Sequence, residues 1–439
     1  MAKFKRYDSY KNSGVEWLGE IPSHWEILKL KFVSKIETGN SISDDKKSNY
    51  ECVECKSHPY IATKDINYEY STINYDNGLR IPKSETNFKI ALPDSILICV
   101  EGGSAGKKIA YTNQSVCYVN KLASIQTIGE NVSKFLYYVI KSYIFKNQFD
   151  LSINGLIGGV SVLLIKNFCA VLPPKDEQEK IASYLDEKIA KIDASISGKE
   201  KFIELLKEQK QIIINNAVTK GLNKNAKFKN SGVEWIGVVP QHWTITKLKY
   251  IGTSIIGLTY NPNNLCGKDE GVLILRSSNI QHGKLILNDN VYIKGYIPKK
   301  LFIRENDIVI CSRNGSRELI GKCALAKKED EKYSFGAFMT VFRSKLNFYV
   351  FQILNSEIFK KQAGKFLTST INQLTVNNFN SFEIPLPPKS EQEKIVEYIE
   401  TKTAKIDKLV NLEQEYIKSL KEYKASLIDS VVTGKVRIV

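Results

Sequence analysis

The sequence predicts an α+β protein in which two mixed α/β domains are separated by two long helices that pair as an antiparallel coiled coil, with a pseudo-twofold internal repeat. Three observations predict it: a framework motif that occurs twice, a second motif that opens a helix twice, and an apolar heptad pattern after each opening. At 439 residues the chain is also too long for a single hydrophobic core.

The repeat consists of two motifs at nearly constant spacing. Lys-Asn-Ser-Gly-Val-Glu-Trp begins the first motif, which spans 11–25, ends in His-Trp and returns 218 residues later at 229–243. Leu-Pro-Pro-Lys-x-Glu-Gln-Glu-Lys-Ile occupies 172–181 and returns 214 residues later at 386–395. Between the motifs the two copies look largely unrelated, which predicts one scaffold that carries two domains with different specificities.

The repeat sets the predicted domain boundaries. These are 1–172 for the first motif and variable domain, 173–221 for the central helix, 222–386 for the second motif and variable domain, and 387–439 for the C-terminal helix.

Each long helix begins at two prolines followed by acidic residues, which suit a helix N-terminus. Apolar residues then alternate at spacings of three and four, the pattern of a coiled-coil seam. The predicted seam residues are Leu185, Ile189, Ile192, Ile196, Ile203 and Leu206 in the first helix and Ile399, Ile406, Val410, Ile417 and Leu420 in the second. Lys199 and Glu413 interrupt the two ladders at the same place, where they could meet. The helices are expected to pair antiparallel because the second domain must return the chain.

The net charge of +16 predicts a polyanionic partner, with nucleic acid first in line. The helical segments 173–221 and 387–439 carry net charges of only 0 and +1, whereas segments 1–172 and 222–386 carry +4 and +11. The variable domains are therefore the expected contact surface, the second more strongly than the first.

Polar loops follow apolar strands at matching places in the two variable domains. The strands at 95–100 and 307–311 enter glycine-rich turns at 101–108 and 312–322. Arginine and asparagine can pair with guanine and adenine, whereas lysines and turn amides hold phosphates. The predicted DNA contacts are Arg276, Asn279, Arg313, Asn314, Arg317 and Lys322 in the second domain and Lys64, Ser104, Lys107 and Lys108 in the first. The alternative is that these residues are solvated turns.

The turn at 101–108 resembles a phosphate-binding loop, but Glu101 and Lys108 stand where the loop needs a glycine and a hydroxyl. Asn-Pro-Asn-Asn at 261–264 lacks the second proline and the aromatic residue of the adenine methyltransferase motif. We therefore expect no ATP site and no methyltransferase site. His24 and His242, each before a tryptophan, are expected to serve packing rather than catalysis.

Cys52, Cys55 and His58 have the spacing of half a zinc site, with Cys99 or Cys117 as a conceivable further ligand. Free thiols are the favoured interpretation, and no metal is expected. No apolar run reaches the ~18 residues of a membrane span, and no apolar signal opens the chain, so a cytoplasmic protein without membrane contact is expected.

The two motifs, over the whole chain, resemble those of the specificity subunits of type I restriction–modification systems. The resemblance implies two target-recognition domains that each bind half of a split double-stranded DNA site, joined by helices that fix the gap. It also implies docking of two methyltransferase subunits and an ATP-dependent restriction subunit. S-adenosylmethionine, ATP and Mg²⁺ would then belong to those partners, and this non-catalytic chain would hold no cofactor.

Two alternatives remain open. One is a self-contained DNA-modifying enzyme, which the incomplete motifs disfavour. The other is a DNA-binding scaffold or regulator without a restriction partner.

Overall fold

The computed structural model describes residues 5–15, 17–51, 56–153, 158–366 and 372–438. The chain divides into two compact units, Met1–Glu200 with Gln414–Val439, and Lys201–Glu413. Each unit therefore contains one variable domain and about half of each long helix.

The first unit is built on two four-stranded sheets. Its strands are β1 Tyr10–Asn12, β2 Glu20–Pro22, β3 Glu26–Lys29, β4 Ser34–Thr38, β5 Ser57–Ile61, β6 Arg80–Pro82, β7 Ile90–Ala91, β8 Ile96–Cys99, β9 Ile109–Tyr111, β10 Val116–Tyr118, β11 Leu122–Thr127 and β12 Cys169–Leu172. Its helices are α1 Leu30–Val33, α2 Ser133–Lys141, α3 Tyr143–Leu151, α4 Val162–Ile165 and the start of α5 Lys175–Lys220. One sheet has the order β4-β11-β8-β9 and is antiparallel; the other has the order β6-β5-β10-β7, with β5 and β10 parallel.

The second unit repeats this plan. Its strands are β13 Phe228–Asn230, β14 Val238–Pro240, β15 Thr244–Lys247, β16 Thr253–Ile256, β17 Leu265–Cys266, β18 Val272–Leu275, β19 Ile280–Gln281, β20 Lys284–Leu285, β21 Tyr292–Ile293, β22 Ile308–Cys311, β23 Cys323–Leu325, β24 Ser334–Phe335, β25 Met339–Arg343 and β26 Glu383–Leu386. Its helices are the end of α5, α6 Asn347–Leu354, α7 Glu357–Phe366, α8 Val376–Asn380 and the start of α9 Lys389–Val432. The antiparallel sheet β16-β25-β22-β23 matches β4-β11-β8-β9, and β18 pairs parallel with β24 as β5 does with β10. The variable domains thus share a fold that their sequences do not reveal.

The two repeated motifs bind each other within the first unit. Trp25 is fully buried, and its indole Nε1 donates to Glu177 Oε2 at 3.1 Å in the first turn of α5. His24 Nε2 lies 2.9 Å from the same oxygen, and the Tyr7 hydroxyl donates to Glu177 Oε1. Burial and the hydrogen bond to the Glu177 carboxylate raise the pKa of Tyr7. One carboxylate therefore joins the framework motif to the start of the long helix.

The second unit has the same arrangement. Trp243 is fully buried, its Nε1 donates to Glu391 Oε2 at 2.9 Å, and His242 Nε2 lies 2.6 Å from Glu391 Oε1. In both copies of the repeat, therefore, each motif supplies one partner of this contact.

The long helices end against these tryptophans. Gly221 follows α5 with φ +69°, and a Cβ there would stand 3.0 Å from the Trp243 ring. Gly434 follows α9 with φ +71°, and a Cβ there would stand 2.4 Å from Pro22 and 3.2 Å from the Trp25 ring. Only glycine combines the left-handed conformation with so close an approach. The end of α9 thus completes the first unit and the end of α5 completes the second.

The two long helices pair antiparallel, as predicted. In the first unit Asp193 accepts from Lys424 at 2.6 Å, and further along α5 the Lys199 ammonium lies 4.3 Å from the centre of the Tyr416 ring. A later residue of α5 therefore meets an earlier residue of α9.

In the second unit Lys210 donates to Asp407 at 2.6 Å. Asp193 and Asp407 end the two copies of Ala-Lys-Ile-Asp, so the repeat places the same aspartate–lysine pair in each unit. Nine of the predicted seam residues are buried, and Val410 and Leu420 are half-buried. No helix in the described part of the chain is long and apolar enough to cross a membrane.

Candidate nucleic-acid interface

In the second unit the predicted loop 312–322 is fixed by the neighbouring loop that joins β24 to β25. The backbone amides of Ser312 and Arg313 both donate to the Phe338 carbonyl at 3.0 Å. Gly321 N donates to Cys311 O at 2.8 Å and closes the loop at its other end. We call the loop 312–322, together with the Phe338 carbonyl that binds it, the loop frame. The Arg313 side chain projects from this frame and lies over the exposed Phe338 ring, with Cζ 5.0 Å from the ring centre.

In the first unit the loop 100–108 is fixed in the same way. Val100 N donates to the Lys121 carbonyl at 2.9 Å, and Gly106 N donates to Cys99 O at 2.8 Å. The thiol of Cys99 donates to Glu101 O, just as that of Cys311 donates to Arg313 O. Glu101 is therefore the structural equivalent of Arg313.

The same comparison makes Lys121 the equivalent of Phe338, because each supplies the carbonyl that binds the loop. One backbone frame thus carries a glutamate and a lysine in the first unit but an arginine and a phenylalanine in the second. Arg313 was predicted from the sequence, whereas Glu101, Lys121 and Phe338 were not recognised there as members of one site. The contacts that join them cross between strands that are distant in the chain, so no local pattern could have found them.

A second turn lies beside each loop and is also equivalent in the two units. Asp65 Oδ2 accepts from Ala62 N at 2.8 Å, and Asn279 Oδ1 accepts from Arg276 N at 2.9 Å. Asn279 is fully buried, and its amide donates to the carbonyls of Ile286 and Asn288. The prediction that Asn279 contacts DNA is therefore corrected, because its carboxamide is committed to shaping the turn.

In each unit the turn is bound to its neighbouring loop by a side chain that was predicted from the sequence. Lys108 Nζ donates to Thr63 O at 2.7 Å in the first unit, and Asn314 donates to Ser277 Oγ at 2.9 Å in the second. These contacts hold each glycine-rich loop against the neighbouring turn, which carries Lys64 in the first unit and Arg276 in the second.

The remaining predicted residues of the second unit differ in their exposure and in whether their side chains bind other groups of the protein. Arg276 Nη2 binds Asp289 Oδ2 at 2.7 Å and is half-buried. Arg317 Nη2 lies 3.4 Å from Gly364 O and is exposed, and Lys322 is half-buried. Within the described residues, the Arg313 guanidinium forms no hydrogen bond or ion pair, so its donors remain available.

In the first unit the predicted residues form a lysine-bearing surface. Lys64 and Lys107 are exposed, and Lys107 Nζ lies 3.3 Å from Gly103 O. Ser104 is half-buried and accepts from Lys107 N through its carbonyl. These residues suit phosphate contacts better than base contacts, because lysine carries a point charge without a planar donor pair.

The cysteines beneath the loops are core thiols. Burial raises the pKa of Cys311 to about 11 and also raises the pKa of Cys99. Both thiols therefore stay protonated near neutral pH and are poor nucleophiles.

Cys52 and Cys55, two of the residues with the spacing of half a zinc site, lie outside the described residues. His58 lies in β5, where burial lowers its pKa. Among the residues that the structure describes, no group of three or more His, Cys, Asp or Glu side chains could hold a metal ion.

The helical pair offers a different kind of surface in the second unit. The heptad ladders of this unit include positions 203, 206, 213, 410 and 413. The residue immediately before each of these positions is apolar and stays exposed: Phe202, Leu205, Ile212, Leu409 and Leu412. In an antiparallel pair such positions of both helices line the same side of the seam. They form an apolar flank, 42–58% exposed, that the chain itself leaves uncovered.

The equivalent positions of the first unit are different in character. Shifted by the 214-residue repeat, they are Ser195, Gly198, Tyr416, Ser419 and Ser426, all exposed. The first unit therefore presents mostly small residues where the second presents large apolar ones.

Comparison with known proteins identifies a family and several relatives. Residues 22–205 and 240–421 each match the type I restriction modification DNA specificity domain. The chain is 25% identical over 439 aligned positions to the type I restriction enzyme MjaVIII specificity subunit of Methanocaldococcus jannaschii, covering 95% of this chain and 94% of that one. It is 30% identical over 206 positions to the EcoKI specificity subunit of Escherichia coli K12, covering 45% and 44%. A chain from a solved type I R-M system aligns with TM-score 0.73 at 15% identity, over 95% of this chain and 99% of that one, and shares its fold.

Proposed function

The chain belongs to the type I restriction–modification DNA specificity family and is a specificity subunit, and we propose that it binds a bipartite double-stranded DNA site, one half per variable domain. The observation that carries the proposal is the duplicated loop frame with different side chains in each unit. One scaffold that presents two different surfaces suits a site whose halves differ in sequence.

The charge distribution supports DNA as the ligand. The variable domains carry nearly all of the net charge of +16, and Arg313, Arg317, Lys64 and Lys107 are exposed on their loops. Arginine and lysine at loop tips neutralise phosphates and pair with base edges. We assign to the long helices the role of a ruler that fixes the gap between half-sites.

We further propose that the chain is non-catalytic and holds two methyltransferase subunits and, for cleavage, restriction subunits. S-adenosylmethionine, ATP and Mg²⁺ then act on those partners. The apolar flank at Phe202, Leu205 and Leu412 supports docking, because exposed apolar stripes on a helical pair bind further helices.

A genome-wide map of N6-methyladenine tests the proposal. We expect a split motif in cells that express this chain with its methyltransferase and none in cells that lack the chain. Methylation without the chain, or no methylation with both proteins soluble and associated, would contradict it. The second outcome would favour a DNA-binding scaffold or regulator.

The difference between the two helical flanks gives a stoichiometry prediction. In the double variant Leu205→Glu, Leu412→Glu, two carboxylates replace exposed leucines on the apolar flank, so the number of bound methyltransferase copies is expected to fall from two to one. Native mass spectrometry of the co-purified complex measures this.

The matched control is Lys201→Glu, Lys408→Glu, which changes charge on the same two helices outside the flank and should retain two copies. Circular dichroism should show equal helix content in both variants. Two copies bound to the leucine variant would rule out the flank as a docking surface.

A further inference from the structure

The equivalent positions of the two loop frames, 101 and 313, point to how the two domains differ. They are placed alike by the backbone: the amide of the preceding residue, Val100 or Ser312, binds the carbonyl of the facing loop at 2.9 or 3.0 Å. A side chain at either position leaves the frame at the same point. A change of side chain at this position therefore changes the group that each domain presents without changing the backbone that holds it.

Arg313 is prepared for a planar, bidentate contact. Its guanidinium lies 5.0 Å from the centre of the Phe338 ring, and that ring is 57% exposed. Stacking on an aromatic face restricts the rotation of the guanidinium while leaving its donors at the edge of the plane. Arg276, by contrast, is bound to Asp289, and Arg317 reaches the Gly364 carbonyl. Among the arginines predicted to contact DNA, Arg313 has the best geometry for a base edge.

Glu101 differs from Arg313 in hydrogen bonding, because it is an acceptor where Arg313 is a donor. An ionised carboxylate only accepts hydrogen bonds, and the exposed Lys121 beside it replaces the aromatic ring of Phe338. A carboxylate in the major groove pairs with the amino group of cytosine, whereas arginine pairs with O6 and N7 of guanine.

Resting on the proposed function, we propose that 101 and 313 are the matched specificity-determining positions of the two domains. Arg313, supported by Phe338, donates to a guanine of one half-site, and Glu101 accepts from the amino group of a cytosine in the other.

Arg313→Gln tests the assignment in the complex purified with its methyltransferase, by sequencing methylated sites in a library of randomised DNA. The preference for guanine at one position is expected to fall roughly 10- to 100-fold, because glutamine pairs with adenine instead. The other half-site should stay unchanged. Phe338→Leu should weaken the same preference by a smaller factor, because the arginine keeps its charge but loses its stacking surface.

Arg317→Gln is the matched control, since it removes the same charge from the same loop. It should lower methylation of all sequences alike and leave the motif intact. For the first domain, Glu101→Gln should lower a cytosine preference in the other half-site, whereas Glu130→Gln, an exposed glutamate outside both loops, should not.

The assignment is overturned if Arg313→Gln keeps the full guanine preference and merely loses rate as Arg317→Gln does. It is also overturned if Glu101→Gln leaves both half-sites unchanged. A wild-type complex with no sequence preference would instead overturn the proposed function, and this assignment with it.

Discussion

Inserting one heptad into both long helices, after Gly198 and after Leu412, is expected to lengthen the gap between unchanged half-sites by about three base pairs. Seven helical residues add ~10 Å at ~1.5 Å per residue, and successive base pairs are ~3.4 Å apart. The two points are equivalent in the repeat, being 214 residues apart. Insertions at these points preserve the Asp193–Lys424 pair of the first unit and the Lys210–Asp407 pair of the second. Methylome sequencing measures the gap.

The lengthened protein is also expected to methylate more slowly. Three base pairs rotate the second half-site by roughly 100° about the DNA axis, at ~10.5 base pairs per turn, and seven helical residues do not compensate for this rotation.

Insertion into α5 alone is the control, because it shifts one seam against the other and should yield little assembled complex. A motif with its original gap in the doubly lengthened protein would refute the ruler.

Trp25→Ala is expected to lower the free energy of unfolding by about 3–5 kcal/mol, the cost of removing a fully buried aromatic side chain. The change also deprives Glu177 of its 3.1 Å hydrogen bond from the indole and removes the ring against which Gly434 packs. Urea denaturation followed by circular dichroism measures the loss. Trp243→Ala should cost a similar amount, since Glu391 and Gly221 repeat these contacts.

Trp17→Ala is the matched control, because this tryptophan belongs to the same motif but is 36% exposed. We expect it to cost about 1 kcal/mol or less, in line with a surface substitution. If Trp25→Ala cost no more than Trp17→Ala, the buried contact between the two motifs would not be what stabilises the unit.

Much of the helical framework could be predicted because it depends on short-range periodicity. Leu185 in α5 and Ile399 in α9 each belong to an apolar stripe that repeats at fixed spacings along its own helix, and burial of such a stripe needs only a second helix of equal length. The repeat predicts this second helix, and the need to return the chain predicts that the two helices pair antiparallel. The loops after β8 and β22 were also expected, since buried apolar runs that enter glycine-rich turns are local patterns.

The role of individual loop side chains could not be predicted in the same way. Asn279 suits adenine recognition by residue type, yet the structure buries it as the cap of a turn, as it does Asp65. Phe338 contacts Arg313 only because β25 pairs with β22 and brings its preceding loop against the loop that follows β22.

The sequence by itself therefore determined the repeat, the two long helices, their seam and the placement of charge on the variable domains. Only the tertiary structure decided that the two variable domains share the order of their antiparallel sheet, that Glu101 is the equivalent of Arg313, and that the apolar residues beside the seam of the second unit stay exposed. The physical reason is the sequence separation of the interacting residues. Helix periodicity depends on residues close together in the chain, whereas strand pairing and loop contacts join residues far apart in it.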